Sequence, residues 1–416
     1  MAELFEPLNL RGVTLRNRIA VSPMVQTSSV DGFASDWHLV HLGSRASGGA
    51  GLVITEAAAV EPQGRISIFD LGIWSDSHIR NLKRIAQFIE SEGAVPAIQL
   101  AHGGRKSSYR PPHDSKGTCP LKHLTPEQGA WTVIGPSMIP FDEDSPIPKA
   151  MTTEDIARVI DAFQSAAGRA VKAGFKWIEV HAAHGYLPHA FYSPLSNKRE
   201  DEYGGDFENR VRFSREVARA IRAAIPDNIV LAFRISYTDW VEGGWALPDA
   251  ARLALALKFD GVDFIDVSSG GNSAQTVALM RELRASPQGA ESNSTVIPLS
   301  PGYQVPGAAY IRREAGLPVA AVGLITDPLH ADSIIRDDQA DVVMLAREML
   351  RDPNWPIRAA VALGKTEKVR IPVQYHLAWK SYGDFNYEPV SAPVLADLSD
   401  AEAQKPKDSN CQNSAR

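Results

Sequence analysis

The chain has 416 residues, 44% of them hydrophobic, which is enough to bury a large core. Its formal net charge of -6 and the absence of any block of basic residues point away from nucleic acid and anionic membranes as partners. Two cysteines, Cys119 and Cys411, are too few for a disulfide framework, an iron–sulfur cluster or a cysteine-based zinc site. With no apolar run of about 18 residues and no basic-then-apolar segment near Met1, a cytoplasmic protein acting on a small molecule is expected.

Residues 4–19 alternate apolar and polar positions and turn at Arg11-Gly12, the pattern of a hairpin that could close the bottom of a barrel. Strands are then expected at 19–24, 52–58 and 95–100, separated by helical patterns around 36–47 and 78–92. The following stretch, 103–150, carries eight prolines, from Pro111 to Pro148, and reads as an irregular lid or substrate-shaping insertion. Thr152-Thr153-Glu154-Asp155 is a capping-box-like start for a helix reaching about 173. Beyond it the theme of helix, small-residue turn and short apolar strand recurs. It places strand 4 from Trp177, strand 5 at 229–235, strand 6 at 264–267, strand 7 at 319–322 and strand 8 at 342–345.

Eight strands alternating with helices indicate the α/β class and a (β/α)8 TIM barrel, with a hairpin in front and a long insertion after strand 3. No G-x-G-x-x-G follows a strand, which argues against an open dinucleotide-binding sheet. Residues 1–385 form one barrel in this reading, and the Asp-, Ala-, Lys- and Ser-rich 386–416 a flexible tail.

In such a barrel, binding and catalytic groups lie at the carboxyl ends of the strands. Strand 4 ends in His181, His184 and Tyr186, close enough for a tight turn to bring two imidazoles and a phenol onto one molecule. A metal site that includes Glu179, or histidines satisfied within a loop, are the other readings of the same residues. Arg234, inside an apolar strand, requires an anionic partner: a carboxylate such as Asp266 or Glu179, or a cofactor that carries negative charge. A reduced flavin is such a cofactor, and Gln99 could bond the same polar edge of its ring. Gly323 after strand 7 and Arg347 after strand 8 suit a phosphate, the alternative being a structural glycine and an ion-paired arginine. Trp37, His38 and His41 read as packing and capping groups.

The ordered motifs resemble the Old Yellow Enzyme family of flavin-dependent ene-reductases, in particular its thermophilic-like branch, over about residues 4–380. They include Asn17-Arg18-Ile19 with Ser22-Pro23-Met24, Gln99-Leu100-Ala101-His102-x-Gly104-Arg105-Lys106, and His181-Ala182-Ala183-His184-Gly185-Tyr186. Asp201-Glu202-Tyr203-Gly204-Gly205, Pro301-Gly302-Tyr303-Gln304 and Arg347-Glu348-x-Leu350-x-Asp352-Pro353 extend the series. The resemblance implies a non-covalent FMN at the barrel mouth, reduced by NADPH or NADH and reoxidised by an activated alkene that accepts hydride from flavin N5. It places Pro23, Met24, Val25, Ala57, Gln99 and Arg234 around the flavin ring, and Gly323, Leu324, Ala346 and Arg347 around the phosphate. His181 and His184 would hold the substrate's carbonyl or nitro oxygen, and Tyr186 would donate a proton to Cα.

Three positions depart from the branch. Val25 and Thr27 stand where Cys and Tyr are usual, and Leu377 where an Arg enters the neighbouring subunit's site, so a shared-site homo-oligomer is not implied. A flavin barrel with altered turnover, such as an isomerase or sensor, and a metal-dependent barrel hydrolase are the alternative functions.

Overall fold

Eight parallel strands, all of whose residues are buried, close into a barrel: β1 (Ile19–Val21), β2 (Leu52–Ala59), β3 (Val95–Ala101), β4 (Trp177–Ala182), β5 (Val230–Ser236), β6 (Phe264–Ser268), β7 (Val319–Val322) and β8 (Val342–Leu345). Each strand pairs with its neighbours in chain order, and β8 returns to β1 through Val343 opposite Ile19. The structure, a computed structural model, describes residues 2–111, 122–285 and 296–387. Cys119, Cys411 and the expected tail beyond Tyr387 lie outside the described residues.

Side chains alternate between two apolar layers, as the strand period of two requires. Ile178, Val180 and Ala182 of β4 pack outward against the helices, whereas Trp177 points inward to a second cluster with Ala97, Phe264 and Val342. Val13 and Leu15 belong to that inner cluster. They lie on the second strand of the N-terminal hairpin, Leu8–Leu10 with Val13–Leu15, which therefore plugs the bottom of the barrel as expected. Trp177 is fully buried and meets the Phe264 ring at 4.9 Å; emptying such a position costs about 3–5 kcal/mol. Above Trp177 the inward positions of β4 become Glu179 and then His181, so the barrel passes from an apolar floor to a polar rim.

The helices α1 (Asp36–Ser47), α2 (Ile79–Ser91), α3 (Thr153–Lys172), α4 (Leu187–Tyr192), α5 (Phe207–Ala224), α6 (Leu247–Phe259), α7 (Ala274–Ala285), α8 (Val305–Ala315) and α9 (Pro328–Arg336) alternate with these strands. In α3, Thr152 and Asp155 form the expected capping box, and Ile156, Val159, Phe163, Ala166, Ala167 and Ala170 make one buried stripe at helical period.

Two local expectations change. The first strand ends at Val21 rather than 24, because the ladder stops where Pro23 offers no N–H, and Ser22–Met24 become a rim loop. The described part of 103–150 is also less irregular than its prolines suggest. Ile134–Gly135 pairs in parallel with Lys149–Ala150, and Trp131 Nε1 donates to Gln63 O at 2.9 Å.

Candidate active site

The turn after β4 is built by backbone conformations that few residues adopt. His184 has φ 59° and Gly185 has φ 78°, two successive left-handed residues that lift the chain out of the barrel and bring Tyr186 back over His181. Gly271, in the loop after β6, has φ 90° and abuts this turn: a Cβ there would lie 2.4 Å from His184 Cα, and one on Gly185 would lie 2.5 Å from Gly271 O. Gly271→Ala is therefore expected to displace His184 and lower kcat/KM at least tenfold. Unaltered kinetics would show that the two loops are independent.

Three further groups hold the turn. Lys106 Nζ, on the loop after β3, donates to His184 O and Gly271 O, each at 2.7 Å. Burial pushes its ammonium down to about 7. His189 in α4 accepts the Gly185 N–H at 3.0 Å and meets Asp239 at 2.9 Å, with both side chains fully buried. Asp239 in turn accepts from Ser193 Oγ and Trp245 N. In the sequence Lys106 stands out only as part of a motif, and nothing there marks His189 or Asp239, because these contacts join separate loops.

The three expected catalytic groups converge. The His181 ring centroid lies 5.0 Å from that of His184 and 4.8 Å from that of Tyr186. Burial, with the Arg234 charge adding to it, holds both imidazoles well below their ordinary pKa, so they are neutral. Burial also pushes the Tyr186 phenol above its usual range and keeps it protonated. The two rings are joined to each other: His184 Nδ1 lies 3.3 Å from His181 Nε2.

Two cavities meet at His184 and Arg234. The smaller, about 160 Å³, is lined by Pro23, Val25, Ala57, Gln99, His181 and Tyr186 together with those two residues. The larger, about 440 Å³, runs past β6 to Gly323, Leu324, Ala346 and Arg347. Of the residues expected around a cofactor, Met24 alone lines neither cavity; it is half-buried against the core. Gly323 (φ 130°) and Leu324 (φ 54°) form the bend after β7, and a Cβ at Gly323 would come within 3.0 Å of the Gln304 amide.

Beneath the rim, the buried polar residues are paired across adjacent strands. Arg234 Nε meets Asp266 at 3.2 Å and its Nη1 donates to Ser22 Oγ at 2.9 Å, so the carboxylate partner expected for this arginine is Asp266. Gln99 Nε2 donates to Glu179 Oε1 at 2.7 Å. Burial, reinforced by the Asp266 charge, pushes the Glu179 carboxyl up to about 8. Because the folded pKa lies above the unfolded value, the native state holds the extra proton and stability falls as pH rises from the ordinary carboxylate range toward 8, by up to about 1.4 kcal/mol per pH unit. Glu179→Gln keeps an acceptor for Gln99 and removes the titration. Its melting temperature is expected to exceed that of the wild type by more at pH 8 than at pH 5, and an equal difference at both would refute the assignment.

Among the described residues no group of three or more His, Cys, Asp and Glu is arranged to hold a metal ion, and Glu179, the carboxylate a hydrolase site would require, is committed to Gln99. No described helix is long and apolar enough to cross a membrane.

Residues 3–365 match the family described as NADH:flavin oxidoreductase / NADH oxidase. The chain belongs to that family. A NADPH dehydrogenase of Geobacillus thermodenitrificans is 45% identical over 379 residues, 91% of this chain and 98% of the relative, and one of Listeria innocua is 42% identical over 382 residues, covering 91% and 100%. Morphinone reductase in complex with tetrahydroNAD shares the fold at a TM-score of 0.66 and 25% identity, with 95% of this chain and 100% of that one covered. A 2-naphthoyl-CoA reductase complex superposes at a TM-score of 0.73 and 24% identity, over 88% of this chain and 53% of that one. The resemblance to the Old Yellow Enzyme family is thus upheld, and the protein is an NAD(P)H-dependent flavin oxidoreductase with FMN as cofactor.

The residues present fit FMN. The smaller cavity offers the apolar wall of Pro23, Val25 and Ala57 to a flat ring and the amide and guanidinium of Gln99 and Arg234 to its polar edge. The larger offers Arg347 and the tight Gly323 bend to a phosphate. Val25, where the branch usually has cysteine, is 43% exposed beside this ring site, and Thr27 is buried at φ 49° with its hydroxyl bonded to Gln26 O. Leu377, on the short helix His376–Trp379, is 86% exposed.

Proposed function

We propose that the enzyme reduces the carbon–carbon double bond of alkenes conjugated to a carbonyl or nitro group. The observation that supports this most is the convergence of two neutral imidazoles and one protonated phenol on the cavity that also holds Gln99 and Arg234. Bound FMN supplies the hydride, taken from NAD(P)H, that the substrate accepts at Cβ.

What the chain supplies is charge control and a proton. Addition at Cβ builds negative charge on the substrate's carbonyl or nitro oxygen. Imidazole N–H donors at that oxygen stabilise the enolate-like transition state more than the ground state. Neutral histidines suit the role, because they donate without fixing a permanent cation where a neutral carbonyl must first bind. Tyr186 then gives its hydroxyl proton to Cα, and its ring, packed against His181, is held on the side of the oxygen clamp. Val25 leaves this donor set intact and supplies part of the apolar wall of the cavity.

The test is a two-step titration. The purified protein is expected to be yellow, with anaerobic NADPH bleaching the flavin band and 2-cyclohexenone restoring it. Bleaching that oxygen reverses but neither enones nor nitroalkenes reverse would overturn the alkene assignment while leaving the oxidoreductase intact.

A further inference from the structure

The two histidines are not equivalent donors, and the difference lies in a hydrogen-bonded chain that runs from the substrate cavity along the wall of the larger cavity. His181 Nδ1 accepts the Ala183 N–H at 3.4 Å, which leaves the ring proton on Nε2. That Nε2 faces His184 Nδ1 at 3.3 Å. On the far side of the second ring, His184 Nε2 lies 2.7 Å from Ser268 Oγ, at the end of β6. Ser268 Oγ lies 3.5 Å from Gln304 Oε1, which also accepts from Ser269 Oγ. The Gln304 amide cannot reverse these roles, because its Nε2 donates to Val322 O at 3.0 Å.

Proton positions follow from this chain. With Ser268 O–H directed at Gln304 Oε1, its oxygen accepts from His184 Nε2–H, and His184 Nδ1 is left to accept from His181. In that arrangement the one imidazole N–H that faces the cavity, that of His181, is held by His184 Nδ1 until a substrate oxygen takes it over. If Ser268 rotates its hydroxyl to donate to His184 Nε2, the ring proton must reside on Nδ1, and both histidines then donate into the cavity. The rotation gives up the long 3.5 Å Ser268–Gln304 contact and the bond between the two rings, while Gln304 Oε1 keeps Ser269 and the short 2.7 Å contact is retained with its direction reversed. An anionic oxygen that accepts from both N–H groups replaces the lost inter-ring bond, so the change accompanies its entry.

We propose that Ser268 is a positioning residue that selects the tautomer of His184, switching the oxygen clamp from one N–H donor to two when an anionic oxygen enters. The inference rests on the proposed role of the histidine pair. It predicts His184 protonated at Nε2 in the substrate-free enzyme and at Nδ1 when the pair holds an anion. Ser268→Ala deletes the donor that supports the Nδ1–H form, and Ser268→Thr keeps it.

The experiment uses FMN-loaded protein labelled with 15N in histidine and 4-nitrophenolate as the anionic oxygen. Long-range 1H–15N spectra distinguish the two neutral tautomers. Wild-type His184 is expected to change from Nε2–H to Nδ1–H on phenolate binding. In Ser268→Ala the change is expected to be incomplete and the phenolate Kd to rise about tenfold, as for loss of one hydrogen bond to a charged group. Ser268→Thr is expected to restore both. Phenolate binding with the His184 tautomer unchanged in the wild type would overturn the Ser268 proposal alone. So would a raised Kd in Ser268→Ala with wild-type tautomers, since a merely structural serine would produce it. A wild-type enzyme that binds no phenolate would remove the oxygen clamp itself and the proposal with it.

Discussion

Tyr186→Phe is expected to slow reoxidation of the reduced enzyme by 2-cyclohexenone by about 100- to 10,000-fold, the range spanned by positioned general acids, while the rate of flavin bleaching by NADPH stays at its wild-type value. The split follows from what the substitution removes. The Tyr186 ring meets His181 at 4.8 Å and lies under Lys106 Nζ at 5.3 Å, and phenylalanine keeps both contacts. Only the proton for Cα is lost, and reduction of the cofactor by a nicotinamide needs no proton at that carbon. Burial raises the phenol's pKa above its usual range, so its acid form persists as pH rises and the wild-type oxidative step should show no loss from Tyr186 ionisation up to the ordinary tyrosine range. Stopped-flow measurement of the two half-reactions separately provides the check. An enone rate in Tyr186→Phe within twofold of wild type would transfer the acid role to another group, and a parallel fall in both half-reactions would mean that the substitution had disturbed the cavity.

The barrel was legible because its strands are short apolar runs set off by turns. The runs at 319–322 and 342–345 coincide with β7 and β8, while β5 begins one residue later than its pattern and β1 stops short at the rim loop before Pro23. The site was legible where one residue type announces a cost. Arg234 in a buried strand had to find an anion and found the Asp266 carboxylate, and Gly323 marked a bend that other residues resist. Ser268, Gln304 and Gly271 gave no comparable signal. A serine at a strand end and a glycine in a loop are ordinary, and each acquires meaning from a partner far away in the chain, as Ser268 does from His184, 84 positions before it. Met24 shows the converse: motif position places it at the ring, whereas its half-buried side chain packs against the core and lines neither cavity. Glu56 was hidden by its neighbours. It sits at the irregularity between Ile54 and Ala57 in β2, where Oε2 accepts the Gln26 N–H and Oε1 meets His38 Nε2, so it fixes the rim loop that carries Pro23 and Val25.

His181→Ala is expected to lower kcat/KM for enones by about 100- to 1,000-fold, the effect of removing one preorganised donor from a developing oxyanion, with the flavin still bound. His181 is the stronger of the pair for a structural reason. Its Nδ1 is already engaged by the Ala183 N–H, so its proton sits on Nε2 before any substrate arrives and has only to turn from His184 Nδ1 to the substrate oxygen, whereas His184 must first change tautomer. Its side chain also projects inward from β4, opposite Arg234 of β5, and is 5% exposed, so solvent cannot replace the missing donor on equal terms. His184→Ala should therefore cost less in kcat than His181→Ala while weakening binding of the substrate, and His181→Asn, which retains an N–H of shorter reach, should recover part of the loss. Steady-state kcat and KM for 2-cyclohexenone, measured for the three variants at one pH below 8, order the donors. Equal losses in kcat for His181→Ala and His184→Ala would show that both N–H groups are preset, and that no proton rearrangement precedes the reaction.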